Sequence, residues 1–302
     1  MPFRNIIVQN DAHMSLKNSQ LRVQTQTADA TLPIEDINMI LIENRQTVLS
    51  SALLSALAGS GVAVFVCDER HMPSAVLEPY AQHSRGLEIA RNQLNLSLPA
   101  KKQMWKQIVV AKILNQAICL SLCGEMAASR ELKDIVKHVK SGDEGNAEGY
   151  AASKYFPALF RGGFVRRDDG DHRNAWLNYG YAIVRGCVAR SLAVYGFLPM
   201  FGLQHHSTLN QFNLADDFIE PYRQIVDLYT AKYSAFDDGG LTSSTKAQLV
   251  NLLNYDILIN KNKHTLARAI ELTVQSFSAV CAGRAKVLNL PELVALNQHT
   301  YE

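Results

Sequence analysis

An α+β chain is predicted here: a small β-rich N-terminal domain over residues 1–80, then a larger all-α domain over residues 81–302. Three observations predict it. The first 80 residues fall into short apolar or alternating runs separated by turn residues. After Pro79 the apolar residues recur at helical spacing instead. Charge divides at the same place. Residues 1–80 hold five Lys/Arg (4, 17, 22, 45, 70) against eight Asp/Glu (11, 29, 35, 36, 43, 68, 69, 78), a net of −3, so the chain total of +2 leaves +5 for the remainder. An acidic front and a basic back fit a polyanionic partner for the second domain, although ordinary scatter of surface charge accounts for the split as well.

The elements follow in order. Residues 3–8 are β-rich and short. Residues 13–16 and 21–25 flank Lys17-Asn18-Ser19-Gln20, a hairpin turn, and Val23, Thr25 and Thr27 alternate with polar neighbours as in a half-buried strand. Residues 37–42 form another apolar strand. Residues 48–58 read as a helix from their Leu and Ala content, closed by Gly59-Ser60-Gly61. Residues 62–67 and 74–77 complete the β set. Helices are expected near 82–97, 102–124, 130–140, 144–159, 174–196, 211–231, 243–260 and 264–283, punctuated by Pro99, Gly142 and Gly162-Gly163. Asp237-Asp238-Gly239-Gly240 is a loop, and the domain boundary falls near 78–84.

A hydrophobic fraction of 47% with 19% charged residues supports packed cores and excludes whole-chain disorder. No apolar run is long enough to span a bilayer, and Met-Pro-Phe-Arg-Asn-Ile lacks the apolar core of a signal peptide. Five cysteines (67, 119, 123, 187, 281) without a close C-x-x-C pair fit reduced thiols in a cytoplasm, and Cys119 and Cys123 fit helix packing. P-loop, nucleophile-elbow and dinucleotide fingerprints are absent, which removes the common nucleotide-hydrolase, esterase and Rossmann readings.

Three segments carry possible chemistry. Glu148 lies between Gly145 and Gly149, and two glycines in a helix cost about 1 kcal/mol each against Ala, a cost that close approach by a neighbour or ligand explains. Gly202-Leu203-Gln204-His205-His206 places an imidazole pair in a loop after Pro199, and neutral imidazole is a common metal ligand. In Asp216-Asp217-Phe218-Ile219-Glu220-Pro221, both Asp217 and Asp216 share a helix face with Glu220, and Pro221 removes the usual partner of the Asp217 carbonyl, so a bend there redirects Glu220. Taken singly, each has a bland reading: a surface Glu, capping histidines, a solvated acidic face. Together they offer oxygen ligands that select Mg²⁺ or Mn²⁺, with imidazole favouring Mn²⁺, and the chemistry natural to such a site is phosphoryl transfer on a nucleic acid. The acidic run Asp168, Asp169, Asp171 lacks calcium-loop spacing and reads as a charged loop.

The same blocks go further by resemblance. Glu148-Gly149-Tyr150-Ala151-Ala152-Ser153-Lys154-Tyr155-Phe156, Asn174-Ala175-Trp176-Leu177-Asn178-Tyr179-Gly180-Tyr181, Gly202-Leu203-Gln204-His205-His206 and Leu214-Ala215-Asp216-Asp217-Phe218-Ile219-Glu220-Pro221-Tyr222-Arg223 resemble, in the same order, blocks of the CRISPR-associated protein 1 family, the integrase of spacer acquisition. The chain looks most like members accompanying type II systems. The resemblance implies that Glu148, His205 and Glu220 are metal ligands, with Asp217 and His206 supporting the site. It implies that the 3′-hydroxyls of a captured double-stranded DNA fragment are joined to a CRISPR repeat, with associated endonuclease activity. It also implies a homodimer through the β domain, two such dimers clasping a dimer of CRISPR-associated protein 2. Lys154, Arg161, Arg166, Arg167 and Arg223 are the candidate DNA contacts. A generic metal nuclease of DNA repair predicts cleavage without joining. A non-catalytic DNA scaffold predicts indifference to loss of Glu148 or Glu220.

Overall fold

The computed structural model describes residues 4–69, 72–77, 85–161, 163–166, 168, 170–234 and 240–300. They fall into two compact units, Met1–Ser84 and Arg85–Glu302. The boundary expected at 78–84, and most of the loop expected at 237–240, lie outside the described residues.

The first unit contains β1 (Arg4–Val8), β2 (His13–Lys17), β3 (Gln20–Gln24), β4 (Asp29–Pro33), β5 (Ile37–Ile42), β6 (Val48–Leu49), α1 (Ser51–Gly59), β7 (Ala63–Cys67) and β8 (Pro73–Leu77). They form two four-stranded sheets, ordered β1-β5-β7-β8 and β4-β3-β2-β6. The hairpin expected between β2 and β3 is present, and Asn18 and Ser19 take the positive φ values that a primed two-residue turn requires. Every residue of β5 is buried, as a central strand with parallel neighbours on both sides should be. Its Ile40 packs in one core with Met14, Leu21, Leu53 and Leu57. Two details differ from the sequence expectation. β4 is a separate strand. Residues 48–49 pair with β2 instead of opening the helix, because Ser50 accepts a hydrogen bond from the Leu53 amide and so starts α1 at Ser51.

The second unit is helical: α2 (Gly86–Leu94), α3 (Leu98–Leu122), α4 (Met126–Val136), α5 (Ala147–Phe160), α6 (His172–Val194), α7 (Asn213–Ile219), α8 (Arg223–Tyr233), α9 (Ser243–Asn251) and α10 (Leu266–Cys281). Buried α3 packs against α4, α5, α7 and α8, while α6 packs against α7, α8, α9 and α10. The helix expected over 211–231 is broken by a 3₁₀ turn at Glu220–Tyr222, where Pro221 cannot donate. The helix expected over 243–260 is corrected. It ends at Asn251, and β9 (Asp256–Ile259) and β10 (Asn262–Thr265) form a hairpin with Asn260 and Lys261 at positive φ. Among the described residues, no helix is long and apolar enough to cross a membrane.

Candidate active site

Glu148 sits in the first turn of α5. Its amide and that of Ala147 donate to the Asp143 carboxylate at 3.0 and 2.9 Å, which satisfies two of the free N–H groups at the helix start. Asn146, in a left-handed conformation, caps the Gly149 amide. A Cβ on Gly149 would lie 2.7 Å from Asn146 Oδ1, so the glycine beside Glu148 serves the cap.

Glu220 occupies the 3₁₀ turn between α7 and α8 and is almost fully buried. Asn115 on α3 donates to the Pro221 carbonyl at 2.8 Å and fixes the turn. Two cations hold the carboxylate: Lys112 Nζ is 2.5 Å from Oε2 and a guanidinium nitrogen of Arg223 is 3.0 Å from Oε1. Burial pushes the Glu220 carboxyl up, but Lys112 and Arg223 together outweigh it and hold the group below its ordinary value.

Lys112 also donates to Glu148 Oε1 at 2.5 Å. Carboxylates from α5 and from the α7–α8 junction therefore converge on one ammonium supplied by α3. Burial lowers the pKa of that ammonium, yet attraction to Glu220 and Glu148 prevails and raises it above the ordinary lysine value. Lys112 is the site residue that sequence reasoning missed. The signal was available: it falls four residues after Ile108 and seven after Trp105, on the apolar face of a buried helix, where an unpaired charge is costly.

His205 is held by its own loop. Asp217, fully buried on α7, accepts the amides of Leu203, Gln204 and His205 at 2.5, 3.2 and 3.1 Å, and pairs with His205 Nδ1 at 2.8 Å. That hydrogen bond raises the imidazole pKa above its ordinary value. With Nδ1 committed to Asp217, Nε2 is the nitrogen available to a ligand. Trp105 packs edge-on against the ring at 5.9 Å. A Cβ on Gly202 would lie 2.7 Å from Asp217 Oδ2, so this loop admits only glycine there. Gln93 on α2 ties the loop's start by bonding the Leu198 amide and the Leu198 and Phe201 carbonyls.

The other sequence candidates divide. His206 is exposed and bonds only the Gln204 carbonyl of its own loop, at 2.7 Å. Asp216 is taken by Arg185 and Asn210. Lys154 pairs with Glu131 at 3.2 Å and Arg161 pairs with Glu125, both on the surface. Arg167 lies outside the described residues. Arg166 and Arg223 line a cavity of about 440 Å³ together with Lys112, Asn178, Tyr181 and Glu220. Arg166 donates to Asn174 and Asn178, and both guanidinium groups lie over the Tyr181 ring. A second cavity, about 520 Å³, is lined by Trp105, Asp143, Glu148, His205 and His206.

Among the described residues, no three His, Cys, Asp or Glu side chains are gathered closely enough to hold an ion as they stand. The donors nevertheless fit one. Glu148 and Glu220 already converge on a single cation, Lys112, and His205 presents an oriented imidazole in the cavity that Glu148 lines. Two carboxylates and one imidazole are the donor set of a hard divalent ion.

Residues 6–235 match the sequence pattern of the family CRISPR associated protein Cas1. This chain belongs to the Cas1 family. A relative named CRISPR-associated endonuclease Cas1, from Neisseria meningitidis serogroup C (strain 8013), is 44% identical over 307 residues and is matched along 100% of both chains. A second Cas1 endonuclease, from Francisella tularensis subsp. novicida (strain U112), is 24% identical across 92% of this chain and 95% of its own length. The Cas1 fold is also seen in a Cas1 protein from Thermotoga maritima, with a TM-score of 0.71 at 15% identity over 93% of this chain and 97% of that one. A casposase bound to an integration product gives a TM-score of 0.77 at 18% identity, over 96% and 93% of the two chains. At these identities the structural likenesses establish the fold.

Proposed function

We propose that this Cas1 chain is the metal-dependent integrase of CRISPR spacer acquisition, with Glu148, His205 and Glu220 as its metal ligands. One observation carries the site. Two carboxylates, one from α5 and one from the α7–α8 turn, meet at one buried cation, and Asp217 holds the His205 imidazole by Nδ1. A Mg²⁺ or Mn²⁺ ion held there supplies charge stabilisation for a phosphodiester under attack by a DNA 3′-hydroxyl. Asp217 would keep the Nδ1 proton on His205, so Nε2 would be the nitrogen left to hold the ion. Arg166 and Arg223 line the adjoining cavity and supply positive charge for the strand's phosphates, which positions DNA without reading its sequence. Joining exchanges one phosphodiester for another: the 3′-oxygen forms the new P–O bond as the repeat's own 3′-oxygen leaves and takes up a proton. No nucleotide cofactor is consumed.

The assembly follows the same reading. A solved complex titled Cas6-RT-Cas1--Cas2 shares the fold over 95% of this chain, and another neighbour is a Cas1–DNA complex. Here the partners are a Cas2 dimer bridging two Cas1 homodimers, with captured duplex and repeat DNA as substrates. Dimerisation runs through residues 1–80, whose strand edges need pairing or cover.

The test is a strand-joining assay with a 3′-hydroxyl duplex, a repeat-bearing target, the Cas2 partner and Mg²⁺ or Mn²⁺. Glu148→Gln, His205→Ala and Glu220→Gln are each expected to lower joining by about 100-fold or more, the scale on which removing a group that acts only in the transition state registers. Cleavage without joining by the wild type supports the repair-nuclease reading instead. Full joining by Glu148→Gln supports the scaffold.

A further inference from the structure

Lys112 has a role of its own in this arrangement. Its ammonium stands 2.5 Å from Glu148 Oε1 and 2.5 Å from Glu220 Oε2, one oxygen of each carboxylate in the metal reading. An ion at about 2.1 Å from those oxygens would stand well inside the separation that two unshielded cations tolerate. Charge balance gives the same answer. Glu148 and Glu220 are neutralised by Lys112 and Arg223, so a divalent ion added with Lys112 in place leaves a double positive excess. Arg223 is not the group in the way, because it engages the other oxygen of Glu220, Oε1.

We propose that Lys112 is the resident cation of the metal-free site, and that metal loading is an exchange that moves its ammonium to a phosphate of the DNA strand. The inference rests on the metal assignment made above. Lysine suits the task, since its charge is compact and rides on a flexible four-carbon stem. The destination is already built. Lys112 forms a wall of the cavity that Arg166 and Arg223 line, and the Arg223 Nε–H on that wall, a donor suited to a phosphate oxygen, has no hydrogen-bond partner among the described residues. Three cations against the carboxylates of Glu220 and Asp227 leave this cavity with the excess positive charge that suits a phosphodiester. In the metal-free state the ammonium keeps two buried carboxylates from repelling each other, so the ligands stay assembled. In the loaded state it becomes a positioning residue for the strand.

The deciding measurement uses the wild-type chain: acylation of lysines by acetic anhydride, read by mass spectrometry, with exposed Lys261 at the β9–β10 turn as internal reference. Mg²⁺ is expected to raise labelling of Lys112 several-fold, and an added duplex of arbitrary sequence is expected to restore protection. Labelling that Mg²⁺ leaves unchanged overturns the exchange, and labelling that DNA fails to suppress overturns the phosphate contact. In parallel, Mn²⁺ binding is measured for wild type, Lys112→Met and Glu148→Gln, with circular dichroism melts to show that each is folded. Lys112→Met is expected to bind Mn²⁺ about tenfold tighter or more, the scale on which one neighbouring charge acts. Equal or weaker binding by a folded Lys112→Met overturns the proposal while leaving the metal site intact, provided Glu148→Gln has lost Mn²⁺. Should Glu148→Gln bind Mn²⁺ like wild type, the metal assignment itself fails, and the exchange falls with it. If Lys112→Met does not fold, the labelling of wild type decides alone.

Discussion

The two sides of the proposed metal site are built on opposite plans. On the His205 side, one buried carboxylate collects four hydrogen-bond donors, and Gly202, Gln93 and Trp105 leave the loop no room to relax. On the Glu220 side, charges face one another across an open cavity: Lys112, Arg166 and Arg223 against Glu220 and Asp227. The difference teaches where each side's ordering comes from. The first is organised by folding alone, as a ligand must be if its tautomer is to be fixed in advance. The second is organised by exchangeable charge, which a metal ion and a nucleic acid can each replace.

The comparison breaks most visibly if the rigid side is not rigid. Asp217→Ala removes the fully buried carboxylate that three backbone amides and the His205 Nδ1–H share. Removing one partner of such a network costs about 3–5 kcal/mol. Urea unfolding should register that loss, and Mn²⁺ binding should fall even at temperatures where the variant stays folded. An Asp217→Ala protein as stable as wild type would show that the loop holds itself.

The charged side is sharpened by pH. Asp227 is fully buried, accepts hydrogen bonds from the Tyr155 and Tyr181 hydroxyls, and burial pushes its carboxyl up to about 6. A carboxyl raised in the folded state contributes stability that is fully present below its unfolded value near 3.8 and is lost as pH rises through about 6. That difference of about two pH units corresponds to about 3 kcal/mol. Asp227→Asn should therefore lack this part of the decline between pH 4 and 6, measured as the difference between the two unfolding free energies across the window. Parallel curves would remove Asp227 from the account.

A smaller effect tests the fit of the loop itself. Gly202→Ala places a methyl group against Asp217 Oδ2 and the His205 carbonyl, and overpacking of this kind costs about 1–3 kcal/mol. The fall in Tm should be accompanied by weaker Mn²⁺ binding, since the displaced groups orient His205. A loss of stability with metal affinity unchanged would uncouple the glycine from the ligand.

The same contrast governs what could be read from sequence. The His205 side was legible in part, because Gly202, His205 and Asp217 are near one another in the chain, and the turn at Glu220 was legible from the break that Pro221 makes. The β domain and most helices were legible from periodicity. Lys112 was not read as part of the site, because its partners lie 36 and 108 residues away and only the packing of α3 against α5 and the 3₁₀ turn brings them together. Spacing could not say where the cations of the loop point, for the same reason. Arg166 reaches the cavity through Asn174 and Asn178 on α6, whereas Arg161 and Lys154 meet surface acids that spacing could not reveal. The β9–β10 hairpin was hidden because Leu252-Leu253-Asn254-Tyr255-Asp256-Ile257-Leu258-Ile259 satisfies a buried helix and a strand equally well, and Asn260-Lys261 decides it by turning.

The smallest expected effect asks how sharply the rigid side selects its ligand. His205 and His206 are adjacent, and both line the cavity that Glu148 enters. Sequence alone separates them only by their distance from Gly202. The structure separates them by what holds each ring. His205 has Nδ1 on the fully buried Asp217 and its face against Trp105, so its Nε2 direction is set before any ion arrives. His206 has Nδ1 on the carbonyl of Gln204, two residues back in the same loop, and no buried side chain among the described residues hydrogen-bonds its ring. A ring held only by its own exposed loop loses rotamer freedom when it binds and gains little from preorganisation. His206→Ala should then change stability by no more than about 0.5 kcal/mol, as surface substitutions do. It should leave Mn²⁺ affinity within about twofold of wild type, a difference of about 0.4 kcal/mol, while His205→Ala abolishes binding. Calorimetric titration of the two variants side by side distinguishes them. A larger loss in His206→Ala than in His205→Ala would move the ligand by one residue, and it would mean that the Asp217 network exists to shape the loop and not to aim an imidazole.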